Sequence, residues 1–138
     1  MATREIIEQY DKAVVQIATP TGTGTGFYLR DHNVIVTNRH VIDGNLEVVV
    51  SGKSFPKTLT KVMFRDQVHD IAFLSVPENI EMTHVRLAAH ENHPREGDTV
   101  VAIGHPYGLK YSATQGIVSK SDRVHKNVSY LQVDAAIN

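Results

Sequence analysis

The chain has 138 residues, enough for one ordinary domain or for two small lobes that share an interface, and long enough to bury a core. Its 14 Lys and Arg against 15 Asp and Glu leave a net charge of −1, which offers no electrostatic footprint for nucleic acid or an anionic membrane. With no cysteine, a disulfide framework, a thiolate nucleophile and a cysteine-ligated zinc are excluded together.

In chain order, the opening segment MATREIIEQYDKAVV places Ile6, Ile7 and Tyr10 at helical spacing. Glu5 and Glu8 fall near its start, where the helix dipole favours acids, so one short helix is expected over residues 3–11. Arg4, Glu5, Glu8, Asp11 and Lys12 break up the apolar residues, so the segment lacks the apolar core of a signal peptide. No apolar run approaches the roughly 18 residues that a membrane helix needs. The expectation is a cytoplasmic chain with no membrane attachment, with a periplasmic or secreted parent as the open alternative.

From Val14 onward the texture changes to short β-branched runs broken by Gly, Pro, Asn and Asp: AVVQIA, GTGFYLR, NVIVTN, LEVVVS, TLTKVMF, DIAFLSV, DTVVAIG, YSATQGIVS and SYLQVDA. Nine short strands at this spacing predict an all-β antiparallel barrel or sandwich. The polar stretch Ala88–Gly97, AAHENHPREG, is the best candidate for a linker. Six strands precede it and three follow, too few to close a barrel by themselves.

The glycine series TGTGTG, Thr21–Gly26, has no Gly-Lys-Ser/Thr ending and runs into the strand-like FYLR instead of a helix, which argues against a phosphate-binding loop. Glycines that ease a bend at the entry to a barrel strand are the better account. Among the eight histidines, His90 and His93 fall three apart with His84 upstream, but in a linker beside Pro94 and with no helix to align them on a metal. No metal site and no cofactor is expected. His32, His105 and His125 lie in turn-like surroundings and read as surface residues. His40 differs: NVIVTNRHVID delivers an apolar strand, Val34–Val36, and then a polar turn that ends on this histidine. The end of a rigid strand can hold a catalytic group to the tolerance that chemistry requires. Asp70, in VHDIAFLSV, stands at the mouth of a strongly apolar strand and needs a cationic or hydrogen-bonding partner. An aspartate that accepts a histidine's Nδ1 proton fixes the ring's tautomer and stabilises the imidazolium formed when Nε2 takes a proton. His40 and Asp70 supply those two groups, although spacing alone does not show that they meet.

GTGFYLRDHNVIVTNRHVIDG, HDIAFLSV, GDTVVAIGHPYGLKYSATQGIVS and LQVDAAIN occur in the order of the segments of the HtrA-like (DegP-like) branch of trypsin-fold serine proteases, which the chain resembles from about Val14 to Asn138. The resemblance implies a trypsin-like double antiparallel β-barrel with a short N-terminal helix and the active site in the cleft between the barrels. Residues 1–90 would hold the helix and the first barrel with His40 and Asp70; residues 91–138 would hold the linker and the first half of the second barrel. By motif position His40 is then the general base and Asp70 its orienting acid. In the family, Asp-Ala-Ala-Ile-Asn continues as Pro-Gly-Asn-Ser-Gly-Gly, whose serine is the nucleophile, about four residues beyond Asn138.

Seven serines are present, Ser51, Ser54, Ser75, Ser112, Ser119, Ser121 and Ser129, and none stands in a glycine-rich turn that would expose its oxygen. The chain alone is therefore expected to be inactive. The resemblance places the floor of the substrate pocket at Ala136, with Ile137 beside it, and implies cleavage after small aliphatic residues. Val133 departs from the family's usual Thr, Asp134 lies too far upstream to act as a pocket acid, and KSDRVHKNVS forms a compact activation loop. The implied partner is a polypeptide substrate, with no nucleic acid and no membrane. Three states stay open: a fragment of a longer protease, a non-catalytic peptide-binding module, and an assembly completed by a separate C-terminal piece, a homo-oligomer or a strand-swapped dimer.

Overall fold

The computed structural model describes residues 2–53, 55–78, 80, 83–88, 90–104 and 112–135. The opening segment forms helix α1, Thr3–Tyr10, with Glu5 in its first turn; a 3-10 turn, Asp11–Ala13, then leads into the first strand. Six strands follow: β1 (Val14–Thr19), β2 (Gly22–Leu29), β3 (Val34–Thr37), β4 (Glu47–Gly52), β5 (Phe55–Asp66) and β6 (Ile71–Ser75). They close into an antiparallel barrel in the order β1-β2-β3-β6-β5-β4. Closure removes the unpaired edges that would otherwise invite association.

Alternation along the strands makes that closure worthwhile. Val15 and Ile17 of β1, Ile35 of β3, Val48 and Val50 of β4, and Ala72 and Leu74 of β6 are buried in one cluster with Phe55. Fully burying an aliphatic side chain of this size contributes about 1.5–3 kcal/mol. The ninth member of the cluster is Ile42, from a helical turn α2, Arg39–Ile42, between β3 and β4. The sequence reads there as a polar turn; a single helical turn with one buried residue is too short to show a helical period.

The glycine series lies within β2, as a barrel strand. A Cβ on Gly26 would come 2.9 Å from both Ile17 Cδ1 and the Val36 carbonyl oxygen. One on Gly24 would lie 2.5 Å from Val41 Cγ1. The missing side chain at Gly24 thus lets α2 seat directly on the strand, and the one at Gly26 leaves room for β1 and β3 side chains and backbone in the barrel.

The remaining three strands, β7 (Thr99–Gly104), β8 (Ser112–His125) and β9 (Val128–Val133), form a separate antiparallel sheet in the order β7-β8-β9. All nine expected strands are present, arranged as one complete barrel and an incomplete second sheet. β8 runs longer than its hydrophobic run suggests. Lys126 (φ 50) and Asn127 (φ 64) both adopt the left-handed conformation between the paired residues His125 and Val128, the signature of a two-residue type I′ hairpin. KSDRVHKNVS is therefore largely strand.

Side chains from the linker fasten this hairpin. Glu96 Oε1 accepts both the backbone N–H of Ser121 (3.0 Å) and its hydroxyl (3.1 Å), and His93 Nε2 lies 3.1 Å from the Ser121 carbonyl oxygen. The Ser121 N–H is the main cause that holds the Glu96 carboxyl below its ordinary value. Among the described residues no helix is long and apolar enough to cross a membrane.

The buried cluster makes a direct prediction for urea unfolding. Ile35→Ala, at a side chain with no exposure, should cost about 2–5 kcal/mol, whereas Leu59→Ala, 60% exposed on β5, should stay within about 0.5 kcal/mol. Equal effects at the two positions would show that the barrel does not close around Ile35.

Candidate active site

β3 carries the chain to Thr37, whose buried hydroxyl donates to the Thr25 carbonyl of β2 at 2.8 Å and so ties the strand end to its neighbour. Asn38 is still extended (φ −81, ψ 143), and α2 begins at Arg39, which places His40 in the first turn of the helix. Two anchors hold that turn: Ile42 in the barrel core and Val41 against Gly24. On the other side, β5 and β6 are joined by Gln67–Asp70, and Asp70 ends this loop in the left-handed conformation, φ 56.

Asp70 and the segment Asn38–His40 are joined by four hydrogen bonds, across 30 residues of sequence. The Asp70 carbonyl oxygen accepts from Asn38 Nδ2 (3.1 Å) and from the Arg39 N–H (3.1 Å). Its carboxylate accepts from the His40 backbone N–H through Oδ1 (2.9 Å), and Oδ2 lies 2.6 Å from His40 Nδ1. The backbone contacts fix where the carboxylate points, and the ring contact assigns Nδ1 as the donor to a charged acceptor. Among the described residues Nε2 has no hydrogen-bond partner, and the imidazole is two-thirds exposed. Partial burial pushes the Asp70 carboxyl upward, but the bonds from the His40 ring and backbone, with the nearby charges of His40 and Arg39, outweigh it and hold the group below its ordinary 3.8. Asp70 is thus held in its anionic form.

A second pair was not singled out by the sequence. His69 Nδ1 lies 2.7 Å from Asp66 Oδ2, three residues back along the same loop. The spacing Asp-x-x-His in DQVH was the available signal, and it is too common to select without the turn that brings the groups together.

The other sequence candidates fall elsewhere. Ala136 and Ile137, the expected pocket floor, lie outside the described residues, as do His105 and Ser54. Asp134, just before them, is engaged with β8: its Oδ1 accepts the Ile117 N–H at 2.6 Å. His93 is committed to Ser121, and Ser121 donates its hydroxyl to Glu96, so neither forms a nucleophile with a base. Among the described residues no three His, Asp or Glu side chains gather as metal ligands. An open, mainly apolar cavity of about 670 Å³ lies between α1, β2, β3 and β7; it reaches Thr37 and Asn38, but His40 and Asp70 do not line it.

Residues 24–138 match the family described as trypsin-like peptidase domain. A DegP-like protein of Rhizobium meliloti, named as a periplasmic serine endoprotease, is 35% identical over 122 residues, 86% of this chain and 24% of the relative. The serine protease Do-like HtrA of Bacillus subtilis is 33% identical over 133 residues, 87% of this chain and 29% of its own length. The chain therefore spans about a quarter of the length of these curated relatives, and the periplasmic name lends the expectation of a cytoplasmic chain no support. The structure of the serine endoprotease from Yersinia pestis superposes with a TM-score of 0.84 at 27% identity, covering 100% of this chain and 50% of that one. Sequence match, relatives and fold agree, and the chain belongs to the HtrA-like branch of the trypsin-like serine peptidases.

Proposed function

We propose that these residues supply the general base and its orienting acid for a serine endopeptidase. His40 takes the proton of an attacking serine at Nε2 and returns it to the leaving amine; Asp70 holds the ring's tautomer and stabilises the imidazolium between those steps. The observation that carries this is the 2.6 Å contact between His40 Nδ1 and Asp70 Oδ2, braced by Asp70 Oδ1 on the His40 N–H. The substrate is an exposed or unfolded polypeptide segment, cleaved after a small aliphatic residue that sits against Ala136 and Ile137. The working division of the chain is residues 1–90, with the helix, barrel, base and acid, and residues 91–138, with the linker and the start of the second barrel. The gap between β6, ending at Ser75, and β7, starting at Thr99, supports that division.

None of the seven serines stands in a glycine-rich turn, so none is proposed as the nucleophile. A second reading, in which a separate piece completes the assembly, draws on β9: on its side away from β8 it pairs with no strand among the described residues.

A fluorophosphonate probe tests the nucleophile. It should leave the 138-residue chain unlabelled and should label a version extended through Pro-Gly-Asn-Ser-Gly-Gly; equal labelling of both would mean that a nucleophile lies within these residues.

In the extended protein, Asp70→Asn should lower kcat by roughly 10⁴-fold with a much smaller effect on KM, since the wrong tautomer would be presented to the serine. A kcat within about tenfold of the parent would remove Asp70 from the mechanism.

Acid titration of stability checks the electrostatics independently of activity. The folded Asp70 carboxyl titrates below its unfolded value of 3.8, so its contribution is present above that value and lost as pH falls through the depressed folded one. The stability difference between the protein and its Asp70→Asn variant should shrink as the solution is acidified in that window. A difference that grows on acidification would contradict a lowered Asp70.

A further inference from the structure

The second histidine–aspartate pair takes no part in the proposed proton transfers, yet it belongs to the loop that presents Asp70. Asp66 ends β5 and pairs in register with Ile71, so Gln67–Asp70 are the four-residue connection of the β5–β6 hairpin. A loop this short leaves N–H groups outside the ladder. Asp66 Oδ1 accepts two of them, from Val68 at 2.9 Å and from His69 at 3.4 Å, while Oδ2 meets the His69 ring. This is an Asx turn, in which a short carboxylate substitutes for backbone partners.

The loop closes on Asp70 at φ 56. A non-glycine residue keeps the left-handed conformation only where its surroundings impose it, at a cost of order 1–3 kcal/mol. In this conformation the Asp70 carbonyl reaches Asn38 and Arg39 while its carboxylate reaches the ring and N–H of His40. What fixes the path of the loop therefore fixes the aim of the acid.

We propose that Asp66 is a positioning residue for the catalytic acid: by capping the N–H groups of the hairpin loop, its carboxylate holds Asp70 in the left-handed conformation that delivers it to His40. The inference rests on His40 and Asp70 being base and acid. The capping contacts, more than the ring contact, do the positioning. His69 is 53% exposed and Asp66 30%, and an exposed ion pair of this kind adds little by itself. An asparagine at position 66 keeps an oxygen for Val68 and His69 N–H; an alanine keeps none.

The test uses the 138-residue chain itself. By NMR, the His40 Nδ1 proton, shifted downfield by its carboxylate acceptor, is followed along with its exchange with water, and the methyls of Ile17 and Ile35 report the barrel. Asp66→Ala should speed that exchange about tenfold, the equivalent of losing one charge-assisted hydrogen bond. Asp66→Asn and His69→Ala should leave it within about twofold. An Asp66→Ala chain with an unchanged His40 proton overturns the inference, and so does an Asp66→Asn or His69→Ala chain that loses the signal. If Asp66→Ala unfolds the barrel, the other two variants decide alone: retention in both supports capping, loss in either overturns it. A parent chain without the downfield proton would remove the His40–Asp70 pair and this inference together. A parent signal that survives Asp66→Ala would overturn the inference and leave the proposed function standing.

Discussion

The structure turns on the clasp between Asp70 and the Asn38–His40 segment. Two of its four bonds use the Asp70 carbonyl and two use the carboxylate. One residue is thus both a backbone anchor and the acceptor for the imidazole. This economy explains why an aspartate stands where a hairpin loop would ordinarily favour glycine or asparagine: it tolerates the left-handed conformation and supplies the anion as well. The result is a carboxylate held charged against partial burial by the donors it was placed to meet.

The barrel brings the two halves of that clasp together. β3 and β6 are neighbours, with Thr37 opposite Ala72, so the segment leaving β3 and the loop entering β6 emerge side by side. α2 then needs room to turn without lifting His40 away from Asp70. Gly24 provides that room under Val41, and Ile42 pins the turn from below in the aliphatic core. The glycine-rich stretch that invites a nucleotide-loop reading is a packing device for the helical turn that carries His40.

The second sheet follows a different logic. Among the described residues its three strands do not close; backbone pairing sets their order, and polar side chains fasten the flanking segments to β8: Glu96 and His93 on Ser121, and Asp134 on Ile117. The type I′ turn at Lys126-Asn127 makes the β8–β9 connection short and well defined, with strand pairing on either side of it. Asp134 ties the chain leaving β9 back to β8 through the Ile117 N–H.

The sequence by itself determined the nine strands, the helix ahead of them and the two residues on which chemistry was expected, because alternation, β-branching and turn residues act over a few neighbours and are written in the order of the chain. The same motifs carried the family resemblance. Tertiary structure alone decided that His40 and Asp70 meet, that α2 is a helical turn, that Gly24 is there for Val41, and that Asp66 and His69 pair within the loop that ends on Asp70. These depend on the register of β3 against β6 and on barrel closure, which join groups 30 residues apart in the Asp70–His40 bond. Long strands whose hydrophobic pattern fades toward the ends, as in β8, were underread for a related reason: past the core, pairing is maintained by a turn and by polar contacts, and those leave little periodic trace in the chain.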